Sequence, residues 1–181
     1  MAHLNTEPGD HDHTVSFFII RTDFDEPRLL LHRHKRIGKL MMFGGHVELD
    51  EDPWSATLRE ITEETGYEHE QLAILQPTAV RFTLAGALVH PVAVCQSTAP
   101  YPGETLHFHS DTAYALTADS APRGLPGSGE STEFRLLNAD GLAVLRSSEV
   151  VPMWQNLGLE ILANIYPRWV PVPLRRFAPN P

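Results

Sequence analysis

Residues 45–67 have the sequence GHVELDEDPWSATLREITEETGY, and the architecture of the chain can be worked out from them. Asp52 and Pro53 together favour a helix start, because an acidic side chain caps free N–H groups and proline fits the first turn. Gly66 is typical of a helix end, since glycine readily takes the left-handed conformation found there. These signals predict a helix from Pro53 to about Thr65.

The predicted helix has one apolar face and one acidic face. At about 100° per residue, four residues form a stripe that we expect to be buried: Trp54, Leu58, Ile61 and Thr65. Glu60, Glu63 and Glu64 fall well away from that stripe, and carboxylates at these spacings repel one another. A solvated charged face is one explanation of this arrangement. A bound divalent cation, which would reverse the repulsion, is the other.

The acidity of the chain is local. The 181 residues include 23 Asp and Glu and 14 Lys and Arg, which give a formal net charge of −9. Nine of those acids but one of those bases lie between residues 46 and 70, so the remainder is nearly neutral. Because no basic stripe is present, the pattern argues against a nucleic-acid polymer as partner. It favours a local site for cations.

Paired glycines, Gly44 and Gly45, precede the acidic helix and allow a close approach of the backbone to a ligand. The combined pattern is Gly45, five residues, Glu51, seven residues, and then REITEETGY at residues 59–67. This pattern resembles the Nudix box, G-x5-E-x7-R-E-U-x-E-E-x-G-U, in which U is a bulky apolar residue. The identities in register are Gly45, Glu51, Arg59, Glu60, Ile61, Glu63, Glu64 and Gly66. Tyr67 departs from the aliphatic residue that is commoner at the last position.

The resemblance to the Nudix family implies an α/β/α sandwich with a mixed sheet, in the α/β (α+β) class. It also implies hydrolysis of a pyrophosphate bond in a nucleoside diphosphate linked to another moiety, such as a nucleoside triphosphate or ADP-ribose. The implied cofactor is Mg²⁺ or Mn²⁺. Two alternatives stay open: a catalytically silent nucleotide-binding module, and a prenyl-diphosphate isomerase, which normally needs a reactive cysteine. Cys95, the single cysteine, lies in an apolar pattern typical of a buried structural thiol.

The same resemblance implies the metal ligands. Glu60, Glu63 and Glu64 are the candidate side chains, and Glu64 is the firmest of them. The backbone carbonyl of Gly44 or Gly45 is expected to complete the coordination. We therefore expect Glu64→Gln to abolish metal-dependent turnover while leaving the fold intact.

Other catalytic roles follow from the resemblance less directly. Glu51 is expected either to bind metal or to fix Arg59, and Arg59 to orient the carboxylates rather than to touch substrate. The general base is open. Glu60 is the favoured candidate, and Glu130 and Glu133, which follow a Gly-rich loop, are rivals.

A second group of candidates lies on a predicted strand, where His107, His109 and Asp111 alternate and so face one side. Two imidazoles and a carboxylate are suited to a transition metal. The alternative is a polar strand face, with His107 and His109 lining the substrate cleft.

Two further residues are candidates for substrate binding. Tyr114 either stacks on a base or packs in the core, and packing is the favoured alternative. Arg33 belongs to the densest basic run, residues 32–36, which is expected either to meet substrate phosphates or to form a solvated turn.

We expect three regions along the chain: a flexible tail at residues 1–13, a hydrolase domain at 14–166, and a Pro-rich tail at 167–181. The predicted strands are residues 14–21, 28–34, 39–43, 73–82, 87–96, 106–117 and 132–137, and the further helices are 139–145 and 151–166. No apolar run has the length of a membrane span, and no secretory signal is recognisable, so a cytoplasmic location is expected. The expected partner is a small-molecule diphosphate, and the sequence leaves open whether the chain is a homodimer.

Overall fold

The structure, a computed structural model, describes residues 9–78, 89–98 and 107–177. Within these ranges, nine strands form one mixed sheet and three α-helices pack on it. The strands are β1 (His11–Arg21), β2 (Arg28–Arg33), β3 (Leu40–Met41), β4 (Phe43–His46), β5 (Ala73–Gln76), β6 (Ala93–Thr98), β7 (Phe108–Ala118), β8 (Phe134–Leu137) and β9 (Val170–Pro173). The helices are α1 (Pro53–Thr65), α2 (Ala139–Ala143) and α3 (Pro152–Glu160), and a π-helical turn (Ile161–Ile165) continues α3.

Strands β1 and β7 form the centre of the sheet. The main strand order is β3-β2-β1-β7-β5-β9, while β4 pairs with β1, β6 with β7 and β8 with β2. β1 and β7 run parallel, with residues paired from His11–Phe108 to Arg21–Ala118, and the other strand pairs are antiparallel. The N-terminal half of β1 therefore lies between β7 and β4.

Alternate residues of β1 face two separate hydrophobic cores, because successive side chains of a strand point to opposite faces. Phe17 and Ile19 pack in a core that includes Ile61 of α1. Phe18 packs on the other face, in a core that includes Trp154 of α3. Each fully buried side chain of this size stabilises the fold by about 1.5–3 kcal/mol. Helices thus cover both faces of the sheet, which confirms the predicted α/β/α sandwich.

Helix α1 begins and ends where the sequence predicts. The Asp52 side chain caps it by accepting hydrogen bonds from the backbone N–H groups of Trp54, at 2.8 Å, and Ser55, at 2.9 Å. Gly66 ends it with φ of 73°, in the left-handed region. The predicted apolar stripe is buried throughout, at Trp54, Leu58, Ile61 and Thr65.

Several boundaries differ from the predicted ones. β1 begins at His11, inside the predicted tail, because its pairing with β7 continues to that residue. The Pro-rich tail contributes β9, whose prolines are tolerated beside β5 because it pairs on one side only among the described strands. The predicted strand at 39–43 is divided into β3 and β4, which pair with different neighbours. Residues 79–88, which fall in two predicted strands, lie outside the described residues.

In the described ranges, no helix has both the length and the apolar character that crossing a bilayer requires.

Candidate active site

The glycine pair brings β4 close to β1 and to α1. Gly44 has φ of 142°, and a Cβ atom on it would lie 2.0 Å from the carbonyl oxygen of Val15. Only glycine fits this position without displacing the backbone of β1. The Gly44 N–H donates a hydrogen bond of 2.9 Å to Oε2 of Glu64. The glycine of β4 therefore fixes the position of one carboxylate of the Nudix box.

Two carboxylates of α1 are buried. Glu60 is 0% and Glu64 is 7% exposed, although the periodicity of the helix alone placed both well away from its apolar stripe. The burial arises because β4 and the loop before β8 lie over this side of α1, where Gly127 N–H donates to the carbonyl oxygen of Glu63. Burial raises the pKa of Glu60 to about 7, against the opposing effect of Arg59. Burial likewise raises the pKa of Glu64 to about 8.

These carboxylates fit a divalent cation. Oε2 of Glu60 is buried and has no hydrogen-bond partner among the described residues. An ionised carboxylate in that position is costly unless a cation meets it. Glu63, whose side chain is 51% exposed, lies on the solvent side of the pair. Two of the three candidate ligands are therefore buried, and the third, Glu63, is exposed.

Arg59 connects the acidic residues of the box. Its Nε and Nη2 atoms donate to the two oxygens of Glu51, at 2.7 and 3.1 Å. Its Nη1 donates to Glu60 at 2.9 Å and to Glu63 at 3.1 Å, and Nη2 also donates to the carbonyl of His46 at 3.0 Å. The hydrogen bond from Arg59 lowers the pKa of Glu51. Of the two roles considered for Glu51, this geometry corresponds to fixing Arg59.

A cavity of about 840 Å³ opens beside these residues. Gly44, Gly45 and Glu64 line it together with Glu130. Basic residues of the turn after β2 also line it, namely His34, Lys35, Arg36 and Lys39. The cavity therefore has carboxylates and cationic groups around one space, which suits a phosphate chain bound with metal ions.

The two rival bases after the Gly-rich loop lie in different surroundings. Glu130 lines the cavity and contributes to the raised pKa values of Glu60 and Glu64. Glu133 instead pairs with Arg33 at 3.0 Å, and its side chain is 73% exposed. The cavity lining includes neither Glu133 nor Arg33. Arg33 and Glu133 thus form an exposed ion pair with each other, and their roles in substrate binding and as general base stay predictions.

Tyr114 belongs to the core, as the packing alternative predicted. It is 3% exposed and lies edge-on to Trp54, with ring centroids 5.4 Å apart. Burial raises the pKa of its hydroxyl to about 12. This packing against Trp54 favours the core alternative over contact with a substrate base.

The polar residues at the start of β7 are arranged differently from the prediction. His107 and His109 do meet, with their Nε2 atoms 3.2 Å apart. Asp111 lies on the same face and lines the same cavity as His109, but its carboxylate accepts hydrogen bonds of 2.8 Å from the hydroxyls of Thr14 and Ser16. The carboxylate beside the two histidines is Asp12, which the sequence analysis placed in the flexible tail. Residues 11–14 are all polar, so no local sequence signal extends β1 to Asp12.

Comparison with known proteins gives the family of this chain. The sequence pattern of the NUDIX domain matches residues 12–150. The chain therefore belongs to the Nudix family and is a Nudix-type pyrophosphohydrolase. A search of curated proteins found no match.

Solved structures share the fold. A hydrolase of the NUDIX family from Clostridium perfringens is 26% identical, with a TM-score of 0.64 over 83% of this chain and 95% of that one. The E. coli dihydroneopterin triphosphate pyrophosphohydrolase is 17% identical, with a TM-score of 0.53 over 86% and 95%. A C. elegans Ap4A hydrolase is 19% identical, with a TM-score of 0.52 over 71% and 81%. The last two likenesses concern the fold alone.

Proposed function

We propose that this chain hydrolyses a pyrophosphate bond in a compound where a nucleoside diphosphate is linked to another moiety. The candidate substrates are ordinary or oxidised nucleoside triphosphates, ADP-ribose, dinucleoside polyphosphates and nucleotide sugars. Two structural neighbours are described as acting on Ap4A and on dihydroneopterin triphosphate, which both contain phosphoanhydride bonds. A cytoplasmic setting agrees with the free thiol of Cys95.

The observation that carries the proposal is the pair of buried carboxylates beside the cavity. Glu60 and Glu64 are almost fully buried, and Arg59, which pairs with Glu60, is shared with Glu51 and Glu63. A structural role would be served better by apolar side chains, since burying unmatched carboxylates is unfavourable. A site that binds divalent cations explains the burial, because the cations would neutralise the two carboxylates.

The proposed cofactor is Mg²⁺ or Mn²⁺. Glu60, Glu63 and Glu64 would hold it, with the carbonyl of Gly45 as the proposed backbone ligand. All four offer oxygen donors, which both ions accept. When bound, such an ion supplies charge neutralisation at the phosphate oxygens and lowers the pKa of a coordinated water.

Other residues of the chain have proposed roles in binding phosphate, positioning the carboxylates and transferring a proton. Lys35 and Arg36, exposed at the rim of the cavity, bind the phosphate groups that do not react. Arg59 keeps the carboxylates in position through its hydrogen bonds to Glu51 and Glu60. Glu60 is the favoured general base and accepts the proton of the attacking water, while Arg59 holds its carboxylate by a hydrogen bond.

Glu130 is the alternative general base, since it lines the cavity together with Glu64. The two candidates are separated by the pH dependence of kcat in Glu60→Gln and Glu130→Gln. The variant that lacks the base is expected to lose the limb of the profile on the acid side, while the other variant keeps it.

Two alternatives from other classes are separated by simple observations. A binding module without turnover would retain nucleotides in equilibrium dialysis but release no phosphate-containing product. An isomerase of prenyl diphosphates would need a reactive thiolate, and burial raises the pKa of Cys95 and so disfavours that form.

The test is a panel of the candidate substrates, each incubated with the full chain and Mg²⁺ or Mn²⁺, with products resolved by chromatography. We expect one class to be cleaved at a pyrophosphate bond, with activity abolished by a chelator. Absence of cleavage across the panel, with nucleotide binding retained, would support the binding module instead.

A further inference from the structure

A compact group of metal-binding side chains lies outside the Nudix box. It consists of Asp12 on β1, His107 immediately before β7, and His109 on β7. Asp12 and His107 are 1% and 0% exposed, and His109 is half-buried. Each offers one donor atom, and these atoms all lie within 4.8 Å of one another. Among the described residues, no other group of three metal-binding side chains meets so closely.

The backbone explains why the three side chains meet. In the parallel pairing of β1 with β7, Asp12 lies directly opposite His109. His107 is two residues before His109, so both imidazoles leave the backbone on one face of the sheet. Asp12 and His107 are 95 residues apart in sequence, and the register of the sheet alone brings them together.

We propose that Asp12, His107 and His109 bind a transition-metal ion of the Zn²⁺ type at a site separate from the carboxylates of the Nudix box. Two imidazole nitrogens and a carboxylate oxygen form a donor set preferred by zinc and its neighbours in the first transition series. Mg²⁺ prefers oxygen donors alone, which this group does not offer. The two sites therefore select different metals.

The distances agree with this donor set. The Nε2 atoms of His107 and His109 are 3.2 Å apart. Two nitrogens bound to one tetrahedral zinc ion at about 2.0–2.1 Å lie about 3.3 Å from each other. Oδ2 of Asp12 is 3.9 Å from Nε2 of His107 and needs a small shift to complete the triangle.

The surroundings provide support and access. Nε2 of His46, on β4, lies 3.4 Å from Oδ2 of Asp12, at ion-pair distance, in the place that outer-shell groups take in metal sites. The His46 ring lies edge-on to that of His109, with centroids 5.2 Å apart. His46 and His109 both line the cavity, so an ion can enter from it. His46 is thus a positioning residue of the proposed site.

The test measures Zn²⁺ binding to the full, untagged chain after removal of metals by a chelator. Competition with a chromophoric chelator is expected to give one tightly held Zn²⁺ per chain, and Co²⁺ to give the intense visible absorption of low-coordinate cobalt. His109→Ala and Asp12→Asn are each expected to weaken Zn²⁺ at least about tenfold, with a smaller loss in His46→Ala. His109→Cys, which keeps a zinc donor, is expected to restore binding.

Two controls make the outcome decisive. His13→Ala removes an exposed imidazole from the same strand and is expected to leave Zn²⁺ binding unchanged. Glu64→Gln is expected to lose turnover and keep Zn²⁺, so the proposed site and the proposed function can fail separately. Equal Zn²⁺ affinity in wild type, His109→Ala and Asp12→Asn would overturn the proposal, as would its loss in His13→Ala. Circular dichroism of each variant shows whether a loss reflects unfolding.

Discussion

The carboxylates of the Nudix box and the Asp12–His107–His109 group differ in how they are built. The box carboxylates come from one helix, so their spacing in sequence is also their spacing in space. The Asp–His group comes from two strands, and only the register between β1 and β7 assembles it. The comparison teaches that a site on one element can be found by its motif, whereas a site assembled across a sheet shows only part of itself in the sequence, here the alternating His107 and His109 without Asp12.

The two regions share one structural link, strand β4. Gly44 donates to Glu64 of the box, and two residues later His46 lies against Asp12 of the other group. Arg59 also donates to the carbonyl of His46. A change on β4 is therefore expected to affect both regions, and a change within either group to affect one.

The largest effect is expected for Glu64→Gln, which tests whether the box alone carries turnover. Glutamine keeps the size of the side chain and can still accept from the Gly44 N–H, but it lacks the negative charge that holds a cation. We expect kcat to fall by about 1,000-fold, which corresponds to about 4 kcal/mol, with the melting temperature maintained. The measurement is steady-state turnover on the substrate found by the panel.

The matched control is Glu68→Gln, an exposed acid just after the helix whose partner is Arg123. It is expected to retain the wild-type rate, since an exposed ion pair contributes little. Near-wild-type turnover in Glu64→Gln would show that the box carboxylates do not carry the reaction.

The next largest effect is expected on stability, from Gly44→Ala on the shared strand. The added methyl group would meet the carbonyl of Val15 at 2.0 Å, and φ of 142° is unfavourable for alanine. We expect a loss of about 3 kcal/mol in the free energy of unfolding, measured by urea denaturation. Gly38→Ala is the control, because φ there is also positive, at 71°, but the space around it is open. If both variants lost equal stability, the close contact of β4 with β1 would not be the cause of the loss in the free energy of unfolding.

How much of this arrangement the sequence could predict depends on the range of the interactions involved. Helix α1 was predicted to the residue, because its cap at Asp52 and its end at Gly66 are local signals. The burial of Glu60 was not predicted, since a helix viewed alone shows nothing of the loop that covers it. Asp12 was missed for the same reason: it becomes part of β1 only through its pairing with β7.

A pH-dependent effect on the free energy of unfolding, similar in size to that of Gly44→Ala, is expected from His32. Unlike the carboxylates of the Nudix box, His32 is a buried base. It is 3% exposed, and burial lowers its pKa to about 4. In the unfolded chain the pKa is about 6.5, so between these values the unfolded state binds more protons. The stability linked to His32 is therefore present above about pH 6.5 and lost as the pH falls to about 4, by about 3 kcal/mol in total.

His32→Phe is expected to remove this contribution, because phenylalanine fills the space beside Phe43 without titrating. The measurement is the free energy of unfolding from pH 4 to 7, taken as the difference between variant and wild type so that other groups cancel. The exposed His13→Gln is the control and is expected to keep the wild-type slope. Parallel curves for wild type and His32→Phe would contradict the prediction.

The smallest effect is expected for Arg59→Lys. This variant leaves the carboxylates of the Nudix box in place and removes the hydrogen bonds that orient them. Lysine keeps the charge but loses the planar fork that donates to both oxygens of Glu51 and to Glu60. We expect kcat to fall by about 10–100-fold, the range for groups that orient metal ligands, with a higher Mg²⁺ concentration needed for half-maximal rate. Zn²⁺ affinity at the Asp–His group is expected to change much less, because Arg59 contacts His46 only through its backbone carbonyl.

Combining Arg59→Lys with Glu51→Gln decides whether the two residues act as one unit. If Glu51 serves only to fix Arg59, the double variant should be no slower than Arg59→Lys alone, since coupled residues are not additive. If Glu51 also binds metal, the two losses should multiply. The surface pair Arg123 and Glu68 provides the control, because Arg123→Lys preserves charge in an exposed ion pair and should leave the Mg²⁺ dependence of kcat unchanged.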